Sequence, residues 1–472
     1  MRSLRTFRVA AIALALIGVA VGSLLLGRSA LSALSEPAIS TTSFDIAEFG
    51  KVNVVKSDSP TRGLVISAAD HSHAVATSQD TLALAKAGLI AVSFDLDTYR
   101  TELATSPAED ECHYVSDDLK NLAEAVQRKL GLTRYFLPVV IGRGDGAAFV
   151  YAALAQAPEN TLGGAISIGF EPVLRSDRTY CFDPTLDTVE PGLFALRSER
   201  QLPGPWRVIA PESGRQRIEA FQASQDCAEF VPAHDDGSTR QALVDSAVQL
   251  GRLSEGGHSG LPVSVIRPEG PVRALAVIIS GDGGWRDIDK SIGEWLAQRG
   301  TAVVGLDSLR YFWSKKSPAD VAADLALLLD HYGSEFGTSR YALIGYSFGA
   351  DVMPSVWPYL PKGTRDRVAL VSLLGLGTSA DFEVTVEGFV GSTSAESNPL
   401  APILSQLPLD RTQCIYGQEE AEDNETSCIA PALEPAQRIA LEGGHHFDGD
   451  YTKAAEAIWT RLQSARAHQQ GS

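Results

Sequence analysis

Residues Tyr341 to Met353 read YALIGYSFGADVM. Tyr341–Ile344 has the composition of a short buried strand, and Ala350–Met353 is compatible with a helix. Between them, Gly345-Tyr346-Ser347-Phe348-Gly349 sets a serine between two glycines. The glycines permit a sharp strand-to-helix turn that lifts the serine into an exposed, strained position, and the following helix start adds a positive partial charge beside it. Such a turn belongs to a parallel sheet with helices on both faces. The upstream sequence agrees: apolar runs at Leu275–Asp282 (LAVIISGD) and Gly300–Asp307 (GTAVVGLD) are separated by a segment of helical character. The expected fold class is α/β.

The plan occurs twice. Gly63–Asp70 reads GLVISAAD and Gly88–Asp95 reads GLIAVSFD, both 212 residues before their counterparts. Val139–Gly146 (VVIGRGDG) then mirrors Ala342–Gly349 at a shift of 203, so the first copy carries a longer insert, where Cys112 lies. In that copy Gly144 stands where the second has Ser347, and the first strand-to-helix turn reads Ala69-Asp70-His71-Ser72-His73, without glycines. Two tandem α/β-hydrolase-like domains are expected, the first without the nucleophile. The chain divides into a leader at residues 1–35, a degenerate domain at 36–258 and a catalytic domain at 259–472. Asp235–Ser238 and Ser254–Gly260 read as the linker region.

A serine nucleophile needs a base, an acid to orient it and an oxyanion hole. The chain order in this fold class is Ser, acid, His. Gly443-Gly444-His445-His446 precedes a last helix expected at Thr452–Ala465, so His445 is the expected base and His446 the alternative. The expected strand Thr412–Gly417 is followed by an acidic loop holding Glu419, Glu420, Glu422, Asp423 and Glu425. Asp423 is favoured as the triad acid, with Glu420 as the alternative at the usual three-residue offset. The turn Ser280-Gly281-Asp282-Gly283-Gly284-Trp285 is the expected oxyanion loop, with donors from Asp282 and Gly283, and from Phe348 beside the nucleophile. No cofactor motif and no cysteine–histidine cluster of metal spacing is read, so neither cofactor nor metal is expected. His234 lies roughly where a base would fall in the first copy.

The 472 residues hold 40 Lys and Arg against 58 Asp and Glu, a net charge of −18, which argues against nucleic acid as the main ligand. Arg2, Arg5 and Arg8 precede an uncharged apolar run, Val9–Leu26, and Ala33-Leu34-Ser35 has cleavage-site character. This is an export signal, or, uncleaved, an anchor through residues 9–26. Both place the folded body outside the cytoplasm, in the periplasm. Of the five cysteines, Cys414 and Cys428 enclose 13 residues and are expected to pair, as are Cys112 and Cys181, leaving Cys227.

Four blocks carry a specific resemblance: SGDGGWRD at Ser280–Asp287, GYSFGAD at Gly345–Asp351, the Cys414–Cys428 acidic loop, and GHHFDGDY at Gly444–Tyr451. Together they resemble the bacterial virulence protein family of VirJ and AcvB, most strongly over residues 262–465; the length and leader look like the longer, AcvB type. The resemblance implies a periplasmic serine hydrolase that removes lysine from lysyl-phosphatidylglycerol, with a link to type IV secretion and virulence. Ser347, Asp282, Phe348 and His445 match its motif positions; the acid does not transfer cleanly. The implied partner is a membrane phospholipid with a cationic aminoacyl head group, alongside possible secretion-system proteins. Trp285, Tyr311 and Trp313 are candidates for cation–π contacts with such a group. A general periplasmic esterase and a non-enzymatic secretion adaptor are the competing readings.

Overall fold

The computed structural model describes residues 37–105, 112–181, 186–198, 201–223, 228–253, 261–385 and 397–469. The leader, Cys227 and the expected boundary at residue 258 lie outside them.

The first sheet is built from β1 (Ile39–Ile46), β2 (Gly50–Ser57), β3 (Gly63–Ala69), β4 (Leu89–Asp95), β5 (Pro138–Arg143), β6 (Gly164–Ile168), β7 (Trp206–Ala210) and β8 (Ala228–Pro232). Their spatial order is β1-β2-β4-β3-β5-β6-β7-β8. The pairs from β4 through β8 are parallel, and β1–β2 and β2–β4 are antiparallel. The second sheet has β9 (Val263–Ile266), β10 (Ala274–Ile279), β11 (Thr301–Leu306), β12 (Tyr341–Tyr346), β13 (Val368–Leu374), β14 (Thr412–Gly417) and β15 (Gln437–Leu441). Its order is β9-β11-β10-β12-β13-β14-β15, with only β9 antiparallel to its neighbour. The second sheet thus repeats the first without its leading strand, and both have the α/β-hydrolase-like arrangement.

Side chains of β10 alternate between two cores. Leu275, Val277 and Ile279 join one cluster, and Ala274, Ala276 and Ile278 join the other. This two-sided burial explains why the strands read as continuous apolar runs rather than as alternating ones. The helices needed below are α1 (Val115–Lys129), α2 (Asp145–Gln156), α3 (Asp236–Leu253), α4 (Asp287–Ala297), α5 (Pro318–Glu335), α6 (Phe348–Val356) and α7 (Tyr451–Gln469). Leu325 and Leu329 of α5 cover one face of the second sheet. Ile292 of α4 and Ile458 of α7 cover the other.

The stretch Asp235–Ser238, expected as linker, instead starts α3. The Asp235 carboxylate accepts the Ser238 N–H at 2.7 Å, so this turn-forming sequence is a helix cap. Cys112–Cys181 and Cys414–Cys428 are both disulfide-bonded. No helix among the described residues is long and apolar enough to cross a membrane.

The two halves share a core. Tyr135 and Leu137 of the first half pack into the cluster built on α5, α6 and β10 of the second. The Tyr135 and Trp313 rings lie 4.9 Å apart, and the Trp313 indole N–H donates to the Leu132 carbonyl at 2.8 Å. The Arg128 guanidinium sits 3.5 Å from the Trp313 ring centre and donates to the Trp313 carbonyl at 2.7 Å.

Candidate active site

Ser347 occupies the turn between β12 and α6 with φ 50° and ψ −118°, a conformation costing a non-glycine residue about 1–3 kcal/mol. Both neighbouring glycines are sterically required. A Cβ on Gly345 would lie 2.3 Å from the Gly349 carbonyl oxygen, and one on Gly349 would lie 2.1 Å from the Ile279 carbonyl oxygen. The Ser347 N–H donates to the Leu374 carbonyl at 2.8 Å, which ties the turn to β13.

Ser347 Oγ lies 2.9 Å from His445 Nε2, and His445 Nδ1 lies 2.6 Å from Glu420 Oε1. A carboxylate at Nδ1 selects the tautomer with its proton there, leaving Nε2 free to accept from the serine. Burial disfavours the His445 cation, but the hydrogen bond and charge of Glu420, with the charges of Asp351 and Asp282, outweigh it; the imidazole pKa is raised. His446 is exposed and turns aside, its Nδ1 2.9 Å from the Tyr346 hydroxyl.

The preference for Asp423 as the acid is corrected. Gln418–Glu422 forms a short helix in which Glu420 is the third residue, pointing inward with its side chain 6% exposed. Its Oε2 accepts the Gly417 N–H at 2.7 Å while Oε1 meets His445. Asp423 caps the far end of that helix, exposed, with its N–H donating to the Glu419 carbonyl. The disulfide fastens the end of the loop to β14, and the inward-facing acid comes from the loop's first turn rather than its tip. The three-residue offset after Gly417, a capping-box position, was the legible signal.

The turn Ser280–Trp285 lies against the nucleophile: a Cβ on Gly281 would come within 3.8 Å of Ser347 Cβ. Among the described residues, the N–H groups of Asp282 and Gly283 make no backbone hydrogen bond, and Phe348 N–H is the first of α6. The three candidate aromatic residues serve as packing and do not line the site. Trp285, Tyr311 and Trp313 are 2%, 4% and 1% exposed, because they fill the core and the contact between the halves.

Sequence reasoning missed Asp351, one turn into α6. Its Oδ1 accepts the Gly377 N–H at 2.7 Å. Burial pushes its carboxyl pKa up to about 7, against the opposing effects of that bond and His445; Asp381 and Asp282 push it the same way. The visible signal was an acid four residues after the serine, on the same helix face. Beside this acidic wall, Asp381 and Phe382 also line a cavity of about 1020 Å³ with Lys315, Lys316, Pro358 and Tyr359. Phe382, Phe312 and Phe348 form an aromatic chain from that cavity to the nucleophile turn, with ring separations of 6.3 and 4.9 Å. A further cavity of about 620 Å³ lies at the amino ends of β10 and β11, at the opposite edge of the sheet.

The first half builds the same turn without a nucleophile. Gly144 has φ 61° and ψ −127°. A Cβ there would lie 2.5 Å from His73 Cε1 and 2.7 Å from Asp70 Oδ2. Asp70 Oδ1 takes both the Ser72 hydroxyl, at 2.5 Å, and His73 Nδ1, at 2.8 Å. Burial opposes the Asp70 charge, yet these bonds and the Asp145 N–H lower its pKa to about 2. Ser72 Oγ also lies 3.0 Å from His73 Nδ1, so hydroxyl and carboxylate meet the same ring nitrogen and no relay across the two nitrogens forms. His234 is exposed beyond β8. Gly144→Ser is expected to remain without hydrolase activity in a Ser347→Ala background, measured on a chromogenic ester, because the new side chain collides with His73. Recovery of even a hundredth of the wild-type rate would overturn this. In the same half His71 Nδ1 lies 2.9 Å from Asp95 Oδ1 and 3.3 Å from Asp97 Oδ2, a partly exposed set with metal-ligand chemistry.

Residues 273–466 match the family described as Bacterial virulence protein (VirJ). No curated protein sequence matches the chain. MenH from S. aureus is similar at 12% identity and TM-score 0.32, covering 43% of this chain and 98% of that one. Est1E from Butyrivibrio proteoclasticus is similar at 12% identity and TM-score 0.32, covering 45% and 97%. A structure described as a lipase in its open form shows 13% identity and TM-score 0.33, covering 44% and 96%.

Proposed function

We propose, from the VirJ family domain that residues 273–466 form, that the second half is a serine ester hydrolase and that its substrate is an aminoacylated phosphatidylglycerol such as the lysyl form. The observation that carries the reading is the continuous Ser347–His445–Glu420 relay, with separations of 2.9 and 2.6 Å.

In this reaction His445 Nε2 takes the Ser347 proton as Oγ attacks the aminoacyl carbonyl carbon. The negative charge developing on the carbonyl oxygen is met by N–H groups of Phe348 and of the Asp282–Gly283 turn. His445 then returns its proton to the departing glycerol oxygen, leaving an aminoacyl ester on Ser347. Water, deprotonated by the same imidazole, releases the amino acid. Glu420 holds the ring and balances its transient charge.

The acidic wall of Asp282, Asp351 and Asp381 supports a cationic acyl group. A buried carboxyl with a pKa of about 7 is half-ionised near neutrality and gains its full charge when an ammonium approaches. The neighbouring cavity offers apolar wall and two lysines to a phosphodiester lipid. Two disulfides fit an oxidising, extracytoplasmic compartment, in line with the expected leader.

The test is release of free lysine from vesicles of phosphatidylglycerol containing its lysyl ester, run beside a p-nitrophenyl ester. Turnover of both by the wild type, and of neither by Ser347→Ala, is the expected result. Turnover of the chromogenic ester alone leaves a general esterase, and turnover of neither leaves a binding protein.

A further inference from the structure

The turn Ser280–Trp285, which supplies oxyanion donors in the proposed reaction, is held from both halves of the chain. On its own side, the Trp285 ring lies beneath Gly305, where a Cβ would come within 2.3 Å of it. The buried Asp307 carboxylate packs against the preceding Gly284, its Oδ1 3.0 Å from where a Cβ would stand. From the first half, Asn160 Nδ2 donates to the Trp285 carbonyl at 3.1 Å. The next residue, Arg286, lies across Gly283, its Nη2 2.9 Å from where a Cβ would stand. Its Nη1 reaches Asp117 of α1 in the first half at 3.7 Å. One turn further along α4, Lys290 pairs with Glu159 at 2.8 Å.

Asn160 is itself placed for this contact. It sits between α2 and β6 with φ 62°, a left-handed conformation that asparagine accepts more readily than most residues. The Thr161 N–H closes the turn onto the Pro158 carbonyl. The Gly284–Trp285 segment is thus backed by Asp307 on its own side and bonded at the Trp285 C=O by Asn160, two residues beyond Gly283.

We infer that Asn160 is a positioning residue for the oxyanion loop of the other half, and that the nucleophile-free first half serves catalysis by fixing that loop. The inference rests on the serine-hydrolase reading. Without the Asn160 bond the Trp285 peptide is restrained on one side only, and the donors at Asp282 and Gly283 lose their fixed aim. A displacement of about 1 Å costs on the order of 100-fold in rate, and outright loss of a donor costs about 10²–10³.

The experiment measures kcat and KM for p-nitrophenyl acetate in the full-length protein. Asn160→Gly removes the donor and accepts φ 62° without strain. Asn160→Asp keeps the shape and loses the N–H. Both are expected to lower kcat by about 10–100-fold with KM changed less than about threefold, on the scale of a misaimed oxyanion donor. Arg128→Ala cuts contacts between the halves away from the loop; it should lower the melting temperature and leave kcat unchanged. Wild-type kcat in both Asn160 variants overturns the inference. So does an equal kcat loss in Arg128→Ala, which would assign the effect to docking in general. An inactive wild type overturns the hydrolase reading itself, and this inference with it.

Discussion

Ser347→Ala is expected to abolish ester hydrolysis, with a loss in kcat of about 10⁴–10⁶ on the scale of nucleophile deletions in such relays. Its oxygen is the atom His445 Nε2 meets at 2.9 Å, whereas Gly144, at the corresponding turn of the first half, carries no hydroxyl. The fold should survive. The serine's N–H bond to Leu374 is made by the backbone, and the side chain contributes no helix cap. A change in stability of less than about 1 kcal/mol is expected, since no core volume or buried partner is removed. The measurement is single-turnover hydrolysis of a chromogenic ester beside a thermal melt. Retention of more than about a thousandth of the rate, well above what nucleophile deletions in such relays leave, moves the nucleophile elsewhere.

Glu420→Gln is the second large effect, about 10³–10⁴ in kcat. The amide still accepts the Gly417 N–H, so the short helix keeps its cap. With its oxygen on Gly417, it turns its NH2 toward His445 Nδ1, which selects the wrong ring tautomer and no longer balances the imidazolium. The pH dependence gives an independent sign. The base must be neutral to act, so kcat/KM rises as pH climbs through the His445 pKa, and in the wild type that pKa is raised above its ordinary value of 6.5. Removing the carboxylate withdraws the main cause of the increase, and the acidic limb of the profile should move to lower pH. Asp423→Asn, at an exposed helix end, should change neither rate nor profile. The reverse pattern across pH 5–9 would return the acid's role to Asp423.

Much of this was written in local sequence. The elbow at Gly345–Gly349 announces itself because two glycines and a preceding buried strand leave few other conformations, and the doubled order of apolar runs gave both sheets. His445 was legible from its place after the Gly443–Gly444 turn. What was not legible depends on facing. Five carboxylates in one loop differ little in sequence; which of them turns inward was decided by a single helical turn set by Gly417. Asp235 read as linker because capping and turn-forming residues are chemically the same. Trp285, Tyr311 and Trp313 were open to a binding or a packing role in sequence; a tertiary contact between the halves claims Trp313, and burial claims the others. Asn160 carries no motif, and Asp351, though it closes the GYSFGAD block, has nothing in sequence to show its burial; their surroundings come from residues 125 and 26 positions away.

The two elbows also form an internal reference. Gly144 and Ser347 hold nearly the same backbone angles, one as glycine and the other as serine. Their difference isolates what a side chain in that turn demands of a fold. The first half, relieved of the demand, has let His73 and Asp70 close over the vacant volume, so its turn is a settled piece of structure. The second half must keep the same volume open and hold its backbone where a serine resists being held. Reciprocal exchange, Gly144→Ser against Ser347→Gly, should therefore move stability in opposite directions. The chain thus holds one turn that keeps a serine under strain and one closed over by its neighbours, a rigid shoulder on which the other half leans.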